Sequence, residues 1–395
     1  MDNMIDYLIW RGEFSVEVTP WCPVDALLFS TLCYLNFHGV DNARGWTLRE
    51  AKRIDLLRDD TAISKAFPDR KRLFETVADS VRFGDTRIHH FIAVTDESRD
   101  MQFCAECVDL PDGTMGVVFR GTDNTIVGWR EDFNMAYQET VPAQEAAAYY
   151  LKKAAECTDR PLRLMGHSKG GNLAVYSSCL APEEVQQRIL EIWSFDGPGL
   201  TNEMFASEGY GKIRERIHHY IPQTSIIGLL MNYYEPYTVV HSTASGLAQH
   251  DPMSWEVKGP GFVEMDAIDR TAVVIRDTLH DWLANSTPEQ RGAFMDNLFH
   301  MMDSTGATRM SELSADKWKS LLTMVGSQKS APPEARKIFG RLMAQAVTLG
   351  VGKVMDQVEE VSRSVIRNRT KPDEGRTDGP ATGEEQGHQP SAAEG

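Results

Sequence analysis

The strongest constraint on the fold of this chain is a segment in which an apolar run, a glycine-rich turn and a stretch of small residues follow one another. Residues 162–165 are apolar except for Arg163 and predict a buried strand, and the residues from Leu173 onward predict a helix. The turn between them, Gly166-His-Ser-Lys-Gly170, has the G-x-S-x-G pattern of a nucleophile elbow. In such an elbow the two glycines leave room for neighbouring backbone, and Ser168 is held at the end of the sheet. A structural Gly/Ser turn is the alternative interpretation.

The order of the predicted elements indicates an α/β fold. Residues 1–85 are mostly helical in pattern, and residues 143–157 are rich in alanine and predict a further helix. The remaining predicted strands are residues 88–95, 101–110, 115–119, 188–195, 217–222 and 237–242. Strands that alternate with helices in this way favour a mostly parallel sheet with flanking helices. The chemistry of such a sheet gathers at the carboxyl ends of its strands.

The chain divides into three predicted regions. Residues 1–268 form the α/β domain together with its N-terminal helices, and residues 269–366 form a helical appendage without a chemical motif. Within the appendage, Thr287, Pro288 and Gln290 make a helix start with a capping box. Residues 367–395 lack large apolar side chains and predict a disordered acidic tail. The sequence does not identify a protein partner for the helical region.

Charge and cysteine usage exclude several classes of function. The formal net charge is −16, from 41 basic and 57 acidic residues, so nucleic acid and anionic membranes are poor partners. No apolar run has the length of a transmembrane helix, and the acidic N-terminus does not resemble a secretory signal. A cytoplasmic location with free thiols is therefore expected for the six cysteines.

No cofactor is expected. No nucleotide or flavin motif is present in the sequence. Cys104 and Cys107 have C-x-x-C spacing, but a second such pair or a nearby pair of histidines is missing from the local sequence. We therefore predict no metal site.

A second motif precedes the serine and establishes a family resemblance. Phe119-Arg-Gly-Thr122 is followed by Trp129-Arg-Glu-Asp132, and then by the Gly166–Gly170 turn. In this order the chain resembles the class 3, or fungal-type, lipases of the α/β-hydrolase fold. It is more closely similar to the Mbeg-like bacterial proteins, a lipase-related family of unknown function. That similarity covers roughly residues 5–260, and further segments that support it are residues 6–12, 141–144, 196–199, 225–228 and 249–252.

The resemblance implies roles for particular residues. Ser168 would be the nucleophile, and the backbone N–H groups of Thr122 and Lys169 would form the oxyanion hole. Gly121, Gly166 and Gly170 would permit the close backbone approaches that this geometry needs. Asp132 and Trp129 would support the loop, although an aromatic anchor and a helix charge are the plainer interpretations.

The acid and the base of the triad are less well determined. Class 3 lipases carry an aspartate after the next strand, but residues 222–228 of this chain contain no carboxylate. Asp196 at the end of the preceding strand is the favoured acid, and Asp251 is the alternative. His250, in a loop after the last predicted strand, is the favoured base. The other histidines in this half of the chain are weaker candidates, namely His167, His218, His219 and His241.

Two hypotheses of function follow. The first is a serine hydrolase that cleaves a carboxylic ester, either a small molecule or an acyl lipid, with residues 226–231 as a candidate acyl pocket. Acyl transfer through the same site is not distinguishable from hydrolysis by sequence. The second, motivated by the missing carboxylate, is a hydrolase-fold binding or scaffold protein with weak catalysis or none.

Overall fold

The computed structural model describes residues 2–37, 44–60, 66–123, 125–135, 138–231, 236–309 and 312. The predicted tail at residues 367–395 and the appendage beyond residue 312 lie outside these ranges. The boundary at residue 268 stays a prediction.

A nine-stranded sheet forms the centre of the described region, and its strand order is β1-β2-β3-β4-β5-β6-β7-β8-β11. Strands β4 to β8 run parallel, whereas β1 to β3 and β11 pair antiparallel on the two sides. A small hairpin of β9 and β10 lies apart from this sheet. The strands are β1 (Trp46–Thr47), β2 (Arg87–Asp96), β3 (Met101–Asp109), β4 (Met115–Phe119), β5 (Leu162–His167), β6 (Ile189–Phe195), β7 (Ile217–Pro222), β8 (Tyr237–Val240), β9 (Val257–Lys258), β10 (Gly261–Phe262) and β11 (Glu264–Met265).

Helices cover both faces of the sheet. They are α1 (Met4–Arg11), α2 (Pro23–Leu32), α3 (Leu48–Arg53), α4 (Phe67–Asp79), α5 (Ile126–Asn134), α6 (Pro142–Glu156), α7 (Lys169–Leu180), α8 (Glu183–Gln186), α9 (Asn202–Phe205), α10 (Glu208–Ile213), α11 (Arg270–Ala284) and α12 (Pro288–Asp303). The capping box at the start of α12 forms as the sequence predicts. None of the described helices is long and apolar enough to cross a membrane.

Alternation along the strands creates a separate apolar core on each face. Val118 and Met165 pack with the N-terminal helices α1, α2 and α4, whereas Val117 and Leu164 pack with α6 and α7. Because both faces are covered, the central strands are apolar along nearly their whole length. The predicted α/β fold, with parallel central strands and flanking helices, is confirmed.

The parallel strands bring distant parts of the sequence to one edge. The carboxyl ends of β4, β5, β6 and β7 lie side by side there. The loops that leave this edge contain Gly121, Ser168, Asp196 and Ser225. His250 reaches the same edge from a short 3-10 turn after β8.

Candidate active site

Ser168 occupies a one-residue turn between β5 and α7. Its backbone has φ 59° and ψ −135°, a conformation that is strained for any residue other than glycine. The turn is tight because a Cβ on Gly166 would lie 2.2 Å from the carbonyl carbon of Gly170, and one on Gly170 would lie 2.1 Å from the Phe119 carbonyl oxygen. Both positions therefore require glycine. The strained turn holds the serine where the strand ends and the helix begins.

The loop after β4 passes directly beside Ser168. A Cβ on Gly121 would lie 2.9 Å from Ser168 Cβ and 2.6 Å from the His167 carbonyl oxygen, so only glycine permits this approach. The next residue, Thr122, donates a hydrogen bond from its hydroxyl to the Asp132 carboxylate. The amide of Lys169 is the first of helix α7 and has no acceptor within the helix. The backbone amides of Thr122 and Lys169 are thus the candidate donors to a negatively charged oxygen.

Asp196 and His250 form a buried hydrogen-bonded pair. His250 Nδ1 and Asp196 Oδ2 are 2.6 Å apart, and the Asp196 side chain is only 1% exposed. The other carboxylate oxygen, Oδ1, accepts hydrogen bonds from the Ser225 hydroxyl and, at 3.1 Å, from the Gly228 amide. Ser225 and Gly228 come from the loop after β7. Three donors from two loops therefore hold one carboxylate, and sequence reasoning identified neither Ser225 nor Gly228 as part of the site.

His167 ties the backbone of His250 to the serine turn. Its Nε2 donates to the His250 carbonyl oxygen at 2.7 Å, and its Nδ1 accepts from the Tyr34 hydroxyl at 3.0 Å. Burial lowers the pKa of His167 well below its usual value, and the neighbouring His250 lowers it further, so the ring is neutral. The two imidazole rings lie 4.6 Å apart. His167 thus positions the loop of His250 and is not itself directed at an acid.

Of the alternative candidates, Asp251 lines the same cavity as Ser168, whereas His218, His219 and His241 do not. Asp251 accepts a hydrogen bond from the Met253 amide and caps a short turn. His241 Nδ1 is 2.7 Å from a Glu256 carboxylate oxygen. Of the remaining two histidines, His218 stacks on Trp193, and His219 is buried, which lowers its pKa to about 4.

A cavity of about 320 Å³ opens onto Ser168 and His250. Its lining combines apolar surface with charged side chains of both signs, notably Arg58, Asp60, Arg70, Arg120, Asp123 and Asp132. A second cavity of about 30 Å³ also borders Ser168. That cavity is mostly apolar, and its lining includes Trp129, Phe133, Met135, Ile227, Leu230 and Met231. Ser168 thus borders both a larger cavity with charged side chains and a smaller apolar one.

An ion pair beneath the serine was not anticipated from the sequence. The Lys169 side chain is 1% exposed, and its Nζ lies 2.8 Å from Glu131 Oε2, 2.9 Å from the Gln102 carbonyl oxygen and 3.7 Å from Asp132 Oδ1. Burial raises the pKa of Asp132 to about 6, although the Lys169 ammonium and the Thr122 hydroxyl oppose the shift. The motif placed Glu131 beside Asp132, but no sequence pattern shows that the lysine side chain points inward.

Ser168 and His250 share the large cavity without a direct bond. Between these two described residues, no side-chain hydrogen bond is formed, although both line the same space. Catalytic hydrogen bonds are often long in ligand-free proteins and tighten when substrate binds. The arrangement thus supplies a strained serine, an oriented imidazole and two free amides around one cavity.

Both the sequence and the fold of this chain are similar to those of known proteins. A sequence model of the Mbeg1-like family matches residues 77–300, which is more than half of the chain. A comparison with curated proteins gives no match. Among solved structures, the crystal structure of M37 lipase is 15% identical, over 53% of this chain and 70% of that chain, with a TM-score of 0.35. The family match spans Ser168, Asp196 and His250.

Proposed function

This chain belongs to the Mbeg1-like family, and we propose that it is a serine hydrolase that cleaves a carboxylic ester. The proposal rests on the 2.6 Å contact between His250 Nδ1 and Asp196 Oδ2 at the edge of the sheet where the strained Ser168 turn lies. A carboxylate that binds Nδ1–H leaves Nε2 of the same ring as a proton acceptor. An imidazole oriented in this way, on the same cavity as a strained serine, supports nucleophilic catalysis.

In the proposed reaction, Ser168 Oγ attacks the ester carbonyl carbon while His250 Nε2 accepts the hydroxyl proton. The backbone amides of Thr122 and Lys169 donate to the oxyanion of the tetrahedral intermediate. His250 then gives its proton to the departing alcohol, which leaves an acyl group on Ser168. Water, deprotonated by the same imidazole, releases the carboxylic acid. Asp196 keeps the ring oriented and stabilises its protonated form throughout.

The two cavities indicate the kind of ester. The apolar cavity of about 30 Å³ beside Ser168 accommodates a short acyl group, and it includes Ile227, Leu230 and Met231 from the predicted acyl-pocket segment. The cavity of about 320 Å³, which contains charged side chains of both signs, has room for a larger alcohol portion with polar groups. A short-chain ester of a polar alcohol is therefore the proposed substrate class. The cytoplasmic location expected from the cysteines remains part of this proposal.

A fluorophosphonate probe tests the proposal because it reacts only with an activated serine. We expect the purified chain to be labelled, Ser168→Ala to abolish labelling, and His250→Ala to slow it by at least about 100-fold. His241→Ala is the matched control, since His241 also pairs with a carboxylate but does not line the cavity. Hydrolysis of acetyl, butyryl and octanoyl esters of one polar alcohol then tests the acyl preference. Labelling that persists in Ser168→Ala would contradict the proposal.

A second candidate is a binding protein that uses the same cavity without turnover. The observation that favours it is that no side-chain hydrogen bond joins Ser168 to His250 in the described structure. In that case the folded protein would resist the probe and hydrolyse no ester, while an ester analogue would still bind in a calorimetric titration.

A further inference from the structure

A second cluster of reactive side chains lies on β2 and β3. Cys107 is paired with His89 across the two strands, and His90 follows directly. One ligand atom from each of the three residues lies within 4.8 Å of the others. Cys107 is fully buried and the histidines are partly buried. None of the three lines the cavity at Ser168.

The backbone at His90 brings the two imidazoles together. Neighbouring residues of a strand normally point to opposite faces of the sheet. His90 instead has φ 53°, in the left-handed region, and the pairing of β2 with β3 shifts register between His89 and Ile92. The two rings consequently lie 4.7 Å apart, with their Nδ1 atoms separated by 2.6 Å. Strained backbone of this kind concentrates at functional sites.

A carboxylate orients the first histidine. His89 Nε2 lies 3.3 Å from Asp109 Oδ1, which also binds the Arg160 guanidinium at 2.6 Å. The Nε2 atom of His89 therefore holds the proton, and its Nδ1 presents a lone pair toward His90. Ligating histidines commonly bind a carboxylate through the ring nitrogen that does not face the metal, because this fixes the tautomer.

The thiol is held beside the histidines by Tyr150 of helix α6. The Tyr150 hydroxyl donates to the His90 carbonyl oxygen at 2.9 Å and lies 3.3 Å from Cys107 Sγ. One tyrosine thus fixes both the strained residue and the thiol. The antiparallel register of the two strands creates this proximity, which the local sequence around Cys107 does not show.

We propose that His89, His90 and Cys107 bind a Zn²⁺ ion, with Asp109 orienting His89. Two imidazole nitrogens and one thiolate are a typical zinc donor set, and water is available as the fourth ligand. Tetrahedral zinc places two nitrogen ligands about 3.3 Å apart, so the Nδ1 atoms must separate by only about 0.7 Å. Burial raises the pKa of the Cys107 thiol to about 12, and the metal displaces that proton when the thiolate–zinc bond forms.

Cobalt titration tests the site because tetrahedral Co²⁺ with a thiolate ligand gives characteristic visible and charge-transfer absorption. The full-length chain without a tag is treated with a chelator, titrated with Co²⁺ and then with Zn²⁺. We expect one Co²⁺ per chain, a thiolate charge-transfer band, and displacement by Zn²⁺. Absence of the thiolate band at saturation would overturn the proposal.

Matched variants assign the ligands. His90→Asn keeps a residue that tolerates left-handed backbone, and Cys107→Ser keeps a hydroxyl for Tyr150, so both retain the local contacts. We expect each to weaken Zn²⁺ binding by at least about 100-fold, and Asp109→Asn to weaken it about tenfold. Cys157→Ser removes an exposed thiol that is not among the three ligands and should leave Zn²⁺ affinity unchanged. Equal affinity in Cys107→Ser and the parent chain would also overturn the proposal. If a ligand variant fails to fold without metal, Asp109→Asn decides the outcome, since that side chain is 34% exposed.

Discussion

Two ion pairs of the described region are almost completely removed from water, and they hold different parts of the molecule. Lys169 pairs with Glu131 at 2.8 Å, and Arg82 pairs with Asp25 at 2.6 Å. In both pairs each side chain is at most 1% exposed. Breaking a buried pair by removing one partner leaves an uncompensated charge, which costs about 3–5 kcal/mol. The two pairs should therefore matter equally for stability, although only one lies beside the candidate nucleophile.

The Lys169 pair joins the elements that surround Ser168. Glu131 lies on α5, and its carboxylate accepts hydrogen bonds from the Gln102 amide of β3 and, at 2.7 Å, from the Ala143 amide at the start of α6. Lys169 itself begins α7 and bonds to the backbone and side chain of Gln102. One buried pair consequently connects three helices and one strand directly behind the serine turn.

The Arg82 pair joins only the N-terminal layer. The guanidinium donates to both oxygens of Asp25 on α2 and to the carbonyl oxygens of Phe14, Thr19 and Pro20. Asp25 also accepts from the Tyr7 hydroxyl on α1 at 2.6 Å. This network fixes a long loop against two helices. A buried ion pair therefore joins the elements around Ser168 in one place, whereas in the other it joins only the N-terminal helices and their loop.

The largest effect is expected from Lys169→Met, which breaks the first pair. Glu131 would be left buried without a countercharge, so the free energy of unfolding should fall by about 3–5 kcal/mol. Because Lys169 is adjacent to Ser168 and supplies a candidate oxyanion amide, the rate of fluorophosphonate labelling should also fall at least about tenfold. Urea denaturation and labelling kinetics measure the two effects. A folded variant with normal labelling would show that the pair does not position the serine.

Arg82→Met should reproduce the loss of stability without the loss of reactivity. We expect a decrease of about 3–5 kcal/mol, since Asp25 loses its partner and three carbonyl oxygens lose their donor. The labelling rate per folded molecule should stay within twofold of the parent chain. Lys212→Met is the control, because its ion pairs with Glu183 and Glu208 are exposed and screened by solvent. Slower labelling by folded Arg82→Met would remove the distinction between the two pairs.

Sequence predicted the sheet and its flanking helices because local signals were strong there. Residues 162–165 and 189–195 are mostly apolar, interrupted by Arg163, Glu191 and Ser194, which indicates strands buried on both faces. The pattern also selected Ser168, Asp196 and His250, which the structure brings to one edge; their catalytic roles remain part of the proposal.

Contacts between distant segments could not be predicted from the sequence. Ser225 stands in the loop where class 3 lipases carry their aspartate, and here it donates to Asp196 from the neighbouring strand end. Residues 222–228 alone do not show that this loop supplies a hydrogen-bond donor to the carboxylate instead of the carboxylate itself. The pairing of His89 with Cys107 likewise depends on strand register, and the inward direction of Lys169 depends on the tight turn before it. Such features arise only when the fold brings the segments together.

A buried acid that forms no hydrogen bond to a cation provides the opposite case, although the Arg120 guanidinium is near enough to lower its pKa. Glu106 on β3 is fully buried, and neither carboxylate oxygen has a hydrogen-bond partner among the described residues. Burial raises its pKa to about 8, well above the usual value for glutamate. The folded state thus binds the proton more tightly than the unfolded state, and stability from this group falls as pH rises from about 4.5 to about 8.

Glu106→Met should therefore stabilise the protein, in contrast to both ion-pair variants. We expect a gain of about 3 kcal/mol at pH 8 and much less at pH 5, because the buried charge is absent at low pH. Urea denaturation at the two pH values measures the difference. Glu97→Met, an exposed change in the turn between β2 and β3, is the control. A loss of stability at pH 8 would mean that Glu106 has a compensating partner.

The smallest effect is expected from Asp132→Asn. The charge of this carboxylate is less well compensated than that of Glu131 and better compensated than that of Glu106. Asp132 is 24% exposed and lies 3.7 Å from Lys169, so its charge is only partly compensated. Since its folded-state pKa is about 6 and the ordinary value is 3.8, its contribution to stability falls as pH rises through that interval. The asparagine removes this penalty and should raise stability by about 1–2 kcal/mol at pH 8, and by about half as much at pH 5, which lies within that interval.

Reactivity separates Asp132 from Glu106, although both variants share this pH signature. Thr122 donates to Asp132, and an asparagine oxygen is a weaker acceptor than a carboxylate. We therefore expect labelling of Ser168 to slow by less than tenfold in Asp132→Asn and to be unchanged in Glu106→Met. Asp266→Asn, an exposed change near β11, controls for the loss of one negative charge. An Asp132→Asn variant that is stabilised at pH 8 but labelled at the normal rate would contradict this expectation. The carboxylate would then affect only the charge balance around Lys169. Gly121 and the strand before it would be sufficient to position the Thr122 amide.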